Sequence, residues 1–262
     1  MSHAGPIRVL VVGATGSIGR LAVGEAVRQG FVTRALVRDP RRARRSLPEP
    51  AEVVVGDLTA PDSLRQAVAD VDAVVFTHGS HGGAGTAEAV DYEGVRNVLS
   101  ALGSRPARIA LMTAIGVTDR VGAHDWKRRA ERLVRASGRP YTIVRPGWFD
   151  YNDPDELRLV LLQGDTRHAG NPSDGVISRR QLAQVLVTSL VSEPAERKTF
   201  ELVAERGPAP DDLAPLFAAL TSDTPGALDA ALDSANMPFE EEPDRVQHDL
   251  RLMRGSHSEP VE

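Results

Sequence analysis

The 262-residue chain contains no cysteine. Disulfides, thiolate metal centres and a cysteine nucleophile are therefore excluded. Lysine is almost missing too: of 31 basic residues, only Lys127 and Lys198 are lysine. Arginine serves in most of the chain, so each lysine carries weight. No apolar run approaches the length of a membrane span, and the first ten residues lack a basic stretch followed by an apolar one. A net charge of −5 argues against non-specific binding to nucleic acid or membranes. These absences describe a soluble, cytoplasmic protein with no nucleic-acid or membrane partner. Its length allows one α/β domain with a full core, or one domain plus a small lobe.

What is present is organised around residues 7–19, IRVLVVGATGSIG. Ile7–Val12 is apolar except for Arg8, and β-branched enough to predict a strand buried on both faces. Gly13, Gly16 and Gly19 follow, and then Leu21, Ala22, Ala26 and Val27 recur at helical spacing. Glycines at a strand-to-helix turn suit dinucleotide binding. Gly13 permits a tight turn, Gly16 lets the backbone approach a pyrophosphate, and Gly19 lets the helix pack close to the strand. The helix N-terminus offers N–H groups to the phosphates. The spacing is GxxGxxG, not the commoner GxGxxG, and Arg20-Leu21 after Gly19 excludes a P-loop. The other reading is a glycine turn without a ligand.

Strands are predicted at Val32–Val37, Glu52–Val55, Asp72–Phe76, Ile109–Met112 and Tyr141–Val144. Helices are predicted at Pro61–Ala69, Thr86–Leu102 and His124–Ser137. This alternation predicts a Rossmann-like, doubly wound parallel sheet, with ligands at the carboxyl ends of the strands. After Tyr151 the pattern changes. A helix over Ser178–Val191, a strand over Thr199–Val203, and helices over Asp211–Leu220 and Pro225–Ser234 predict a small C-terminal substrate lobe. The expected division is a nucleotide-binding part at 1–150, an intertwined lobe at 151–240, and a peripheral tail at 241–262, a helix with a frayed end.

Arg38 stands at the end of the second strand, where an NAD site carries a carboxylate for the ribose 2′-hydroxyl. An arginine there suits a 2′-phosphate, and so NADP. Arg41 and Arg42 would add positive potential, while acidic Asp39 complicates the assignment. The competing reading is a solvated arginine cluster over residues 38–45. Asp57 and Leu58 follow the third strand, where a carboxylate can accept a hydrogen bond from adenine or simply form a turn. Thr77, His78 and Gly79 follow the fourth strand, where a small residue lets a cofactor lie against the backbone. His78 and His81 read as loop histidines, with no cluster suited to a metal.

VVGATGSIGR, ALVRDP, VVGDL, VDYEGVRNVL, the segment from Lys127 to Glu131, and SGRPYTIVRPGWF occur in that order. Together they resemble the atypical short-chain dehydrogenase/reductases, and more narrowly their NAD(P)H-binding, NmrA-like group, over about residues 7–203. The resemblance implies a Rossmann-like fold and a nicotinamide cofactor. It puts Gly13, Thr15, Gly16, Ser17, Ile18 and Gly19 on the pyrophosphate, Arg38 on the 2′-phosphate, and Asp57 and Leu58 at the adenine. Thr77, His78 and Gly79 fall beside the ribose, Thr113 at the active-site serine position, and Pro146, Gly147, Trp148 and Phe149 along the nicotinamide.

The chain departs from the classical Tyr-x-x-x-Lys motif: Ala123 stands four residues before Lys127. Lys127 can still hold the ribose and Thr113 can still donate a hydrogen bond. His124, three residues before Lys127, has the chemistry for proton transfer; its other reading is a capping or surface histidine. Tyr151 and Tyr92 are further candidate donors. The expected activity is hydride transfer from NADPH to a small carbonyl, quinone or flavin-like acceptor. The alternative is a non-catalytic NADP(H)-binding redox sensor or regulator resembling NmrA. A nucleotide-sugar epimerase or dehydratase fits less well, because it too relies on the tyrosine. The expected partner is a small-molecule substrate, and the expected state a monomer or homodimer.

Overall fold

The computed structural model describes residues 6–80 and 84–255. Strand β1 (Arg8–Val12) has β2 (Val32–Val37) and β3 (Glu52–Val55) on one side. On the other lie β4 (Ala73–Phe76), β5 (Arg108–Met112) and β6 (Tyr141–Pro146), and these six strands are all parallel. The order 3-2-1-4-5-6 is that of a doubly wound nucleotide-binding sheet, and it reverses between β1 and β4. The same sheet continues past β6. Parallel β10 (Lys198–Glu205) is followed by antiparallel β9 (Val176–Ile177) and then β7 (Trp148–Phe149), while β8 (Arg158–Leu162) also pairs with β10.

The apolar run of β1 follows from burial on both faces. Val9 and Val11 point into one core with α1 (Gly19–Arg28) and α6 (Arg179–Ser189). Leu10 and Val12 point into the other with α4 (Glu93–Leu102), α5 (Ala123–Ala136) and α8 (Asp244–Gly255). Neither face of the strand meets water, so strict polar alternation is not required of it. The predicted α/β architecture is the one observed.

Four predicted helices differ, the mildest being Asp211–Leu220, which is helical only over Ala214–Ala218. The residues of Pro61–Ala69 form only a 3₁₀ turn, Pro61–Leu64, followed by turns. The Thr86–Leu102 stretch is α3 (Ala84–Ala87), a π-helical turn over Glu88–Tyr92, then α4. Residues 225–234 are not helical at all. Their carbonyls are claimed by α5: Arg135 donates to Leu228 O at 3.2 Å and Arg128 to Ser234 O at 2.8 Å. These bonds, with Asp229 paired to Arg132 and Asp233 to Arg145, hold the segment in an irregular course, so tertiary pairing outweighs the local apolar period. The short helices α2 (Pro40–Ser46) and α7 (Ala214–Ala218) complete the described elements.

The last described segment is tied to this body. Val246, Leu250 and Met253 of α8 are buried in the second core, and Asp249 accepts the Tyr92 hydroxyl at 2.9 Å. The end of the tail, residues 256–262, lies outside the described residues, as does His81.

Candidate functional site

A cavity of about 1090 Å³ opens along the carboxyl ends of β1–β6. The residues singled out in the sequence as cofactor-binding or catalytic line it, except Gly19, Arg41 and the two further donor candidates Tyr92 and Tyr151. Gly19 is buried, and a Cβ there would stand 2.0 Å from Gly13 O. It sets how closely α1 packs on β1 and does not face the space where the resemblance put it.

Gly13 has φ +80°, and a Cβ would meet His78 N at 2.8 Å. Only glycine fits there. Gly16 is exposed, with only Gly13 O, at 3.1 Å, near its would-be Cβ. Bare backbone thus faces the cavity beside Thr15, Ser17 and Ile18. Helix α1 has Ile18 at its N-cap with no side-chain cap bond, and no acidic residue in its first turn. Arg20 N already donates to Gly16 O at 3.1 Å, and Leu21 N and Ala22 N donate to Ile18 O at 2.9 Å. The N–H groups of Ser17, Ile18 and Gly19 have no partner among the described residues and are left for an anion from outside the chain. The turn therefore fits a dinucleotide pyrophosphate.

At the β2 end, Arg38 and Arg42 line the cavity, and Arg38 is exposed with no hydrogen bond among the described residues. Asp39 is turned elsewhere: it caps α2, accepting Arg41 N at 2.8 Å and Arg42 N at 3.3 Å. Asp57 accepts from Thr59 N at 2.9 Å and Thr59 Oγ1 at 2.8 Å; these bonds, the backbone one first, hold it below the usual carboxylate value. It forms the turn and also lines the cavity. Leu58 O is fixed by Asn97 Nδ2 at 2.7 Å.

At the β4 end, Thr77 Oγ1 donates to Val12 O at 2.8 Å, joining the ends of β4 and β1. His78 Nε2 donates to Val90 O at 3.0 Å. Its Nδ1 is buried without a partner among the described residues. Burial, and then the Lys127 charge, lower its pKa to about 4, with Asp91 opposing, so the ring is neutral near pH 7. Gly79 lies against the head of Lys127, whose Nζ would be 3.6 Å from a Cβ there. Lys127 Nζ itself pairs with the buried Asp91 at 3.0 Å. Asp91 also accepts Ser80 N at 2.9 Å and Ser80 Oγ at 2.7 Å. Sequence reasoning missed Asp91. Its signal was a carboxylate inside a helical stretch, and the π-helical turn that aims it is not legible from spacing.

Around the nicotinamide positions, Thr113 is buried and donates its hydroxyl proton to Glu131 Oε1 at 2.7 Å. A hydroxyl has one proton, so Thr113 offers the cavity a lone pair and not the hydrogen bond expected of it. Glu131 is held in turn by Arg145 Nη2 at 2.7 Å. Glu131 too was missed, although its place one helical turn after Lys127 was a signal. His124 donates from Nδ1 to Gly116 O at 2.9 Å, which leaves Nε2 without a protein partner among the described residues. Pro146, Gly147, Trp148 and Phe149 rest against another loop: a Cβ on Gly147 would meet Gly175 O at 2.4 Å. Neither tyrosine candidate lines the cavity. Tyr92 is buried against Asp249, and Tyr151 is 65% exposed. Beyond Thr113 the wall continues through Asp119, Arg167, His168 and Asp174. Among the described residues no group of three metal-ligating side chains occurs.

A reversed strand order, a glycine turn at the switch point and a cleft along the strand ends define a Rossmann-type nucleotide-binding protein. Residues 13–193 match the family described as NAD(P)H-binding, more than half of the chain. The chain belongs to that family, and the resemblance to the short-chain dehydrogenase/reductases holds. An uncharacterized chloroplastic protein of Arabidopsis thaliana is 31% identical over 226 residues, covering 78% of each chain. A putative NAD-dependent epimerase/dehydratase from Bacillus halodurans superposes with TM-score 0.65 at 27% identity, covering 82% of this chain and all of the other. A short-chain dehydrogenase/reductase from Veillonella parvula, in complex with NADP, gives TM-score 0.58 at 18% identity, covering 79% and 99%. No helix among the described residues is long and apolar enough to cross a membrane.

Proposed function

We propose that the protein binds NADPH and is an oxidoreductase acting on a small carbonyl, quinone or flavin-like acceptor. The carrying observation is one continuous cavity, about 1090 Å³, that runs from Arg38 past the glycine turn and Lys127 to His124. Arg38 and Arg42 would receive a 2′-phosphate, a reading supported by the diversion of Asp39 to its helix cap. Backbone N–H groups of Thr15, Ser17 and Ile18 would hold the pyrophosphate, while Gly16 N closes the turn on Gly13 O at 2.9 Å. Lys127, steadied by Asp91, would hold the nicotinamide ribose. When bound, the cofactor supplies hydride to the acceptor carbon. The proton for the acceptor oxygen would come from His124 Nε2 or from solvent. The bond from Nδ1–H to Gly116 O fixes the ring, and Nε2 carries a proton to deliver when the ring is in its imidazolium form.

One observation favours a second reading, an NADP(H)-binding sensor. Ala123 replaces the tyrosine, the Thr113 proton is committed to Glu131, and Tyr92 and Tyr151 are outside the cavity. A panel of quinones, flavins and aldehydes with NADPH separates the two. Oxidation that falls in Lys127→Arg more than binding does supports the reductase. Tight NADPH binding with an inert wild type leaves the sensor.

A further inference from the structure

The far wall of the cavity carries a cation without a carboxylate partner. Arg167 lines the cavity, and its one hydrogen bond among the described residues goes to a backbone carbonyl, Asp174 O, at 3.1 Å. Of the nearby acids, Asp174 is already used. Asp174 accepts N–H groups of Ala169 at 2.7 Å, Gly170 at 2.8 Å and Asn171 at 3.2 Å. Asp119 lies 3.3 Å from His168 Nδ1. His168 Nε2 donates to Asp165 O, so both its ring nitrogens are engaged. The buried arginines of α5 differ, since Arg128, Arg129, Arg132 and Arg135 each meet at least one carboxylate.

The backbone of Arg167 also runs beside Gly116 and His124. A Cβ on Gly116, three residues beyond Thr113, would lie 3.8 Å from Arg167 O and 3.9 Å from His124 Cε1. Trp148 N donates to Gly175 O at 2.9 Å, which ties that residue to the same loop. Trp148 is 37% exposed and lines the cavity. An apolar plane and a planar cation thus flank one space. A guanidinium with four unused N–H groups matches a carboxylate or sulfonate in fork geometry.

We infer that the acceptor is a planar, conjugated carbonyl compound bearing an anionic group, and that Arg167 receives that group. This rests on the reductase reading above. It predicts discrimination by charge at one end of the molecule, with the carbonyl turned toward His124 and the nicotinamide position.

The test uses two matched pairs with the full chain: 4-carboxybenzaldehyde against 4-carbamoylbenzaldehyde, and 1,2-naphthoquinone-4-sulfonate against 1,2-naphthoquinone. Binding is measured by calorimetry on protein saturated with NADP⁺, which fills the phosphate end, and turnover is measured separately with NADPH. The anionic member should bind about tenfold tighter or more. Arg167→Gln should bring the ratio near one with unchanged NADPH affinity, and Arg167→Lys should restore part of it. Equal binding within each pair, or an unchanged ratio in Arg167→Gln, overturns the inference. Turnover without charge preference removes the anion site and keeps the reductase. Arg167-dependent anion binding without any NADPH oxidation keeps the site and removes the reductase.

Discussion

Lys127 Nζ lies 3.0 Å from Asp91 Oδ2, and the carboxylate side chain is only 3% exposed. The pair fixes the direction of the ammonium group while leaving other N–H donors for the cavity. Asp91→Asn keeps an acceptor for Ser80 but removes the charge beside Lys127. A largely buried cation is then uncompensated, at a cost of about 3 kcal/mol. We expect a lower thermal midpoint and an NADPH affinity reduced several-fold, read by fluorescence titration. Unchanged affinity with lowered stability would make Asp91 a support of the fold and not of the cofactor.

Arg38 decides the phosphate question. Asp39 is occupied at the α2 cap, so the positive end of β2 has no acid turned into the cavity from that position. Arg38→Ala should weaken NADPH binding about tenfold and leave NADH nearly unchanged, as calorimetry with each cofactor will read. Equal loss for both cofactors would place Arg38 on a group that they share.

The parts of the site that were legible in the sequence are those where backbone chemistry dictates residue type. The glycine turn needs positive φ at Gly13 and close approach at Gly19, and no other residue meets those demands. Arg38, Thr77 and Lys127 follow from their places at strand ends or on α5. The parts that were not legible depend on contacts made across long separations. Asp91 is aimed by a π-helical turn, Glu131 acts through Thr113 and Arg145, and Arg167 sits in irregular chain. The false helix at Pro225–Ser234 has the same origin. Its apolar period is real, but Asp229 and Asp233 go to arginines on α5 and β6.

Those arginines make a stability prediction. Arg132 is 1% exposed and joins Asp229 at 2.6 Å, Glu242 at 2.8 Å and Met237 O at 2.5 Å. It therefore pins the irregular segment around residues 229–242 to α5. Arg132→Ala leaves Glu242 buried beside Arg129 alone and Asp229 beside Arg128 alone. We expect a loss of about 3 kcal/mol or more in urea denaturation. A loss under about 0.5 kcal/mol, typical of surface substitutions, would mean that the segment does not contribute to the cooperative unit.

Glu201 gives the pH dependence. It is 2% exposed, 3.4 Å from Arg145 Nη1, and accepts Asp165 N at 3.1 Å. Burial raises its pKa to about 7 against the pull of Arg145, with the Asp165 and Asp233 charges adding to the rise. In the unfolded chain the value is near 4.5. Between those two values the native state holds a proton that the unfolded state has lost, so stability falls as pH rises through that window. Above pH 7 the penalty is complete, because the carboxylate is charged in both states. Glu201→Gln keeps the carbonyl acceptor for Asp165 N and cannot ionise. At pH 8 the variant should be more stable than wild type, each kcal/mol appearing as about 2–4 °C in a chain of this size. At pH 5, just above the unfolded value, where native Glu201 is still neutral, the difference should be much smaller. Calorimetric scans at the two pH values read this directly. A stability difference that is the same at pH 5 and pH 8 would mean that Glu201 does not titrate in this range. A variant weaker at pH 8 would mean that its charge is needed to balance Arg145.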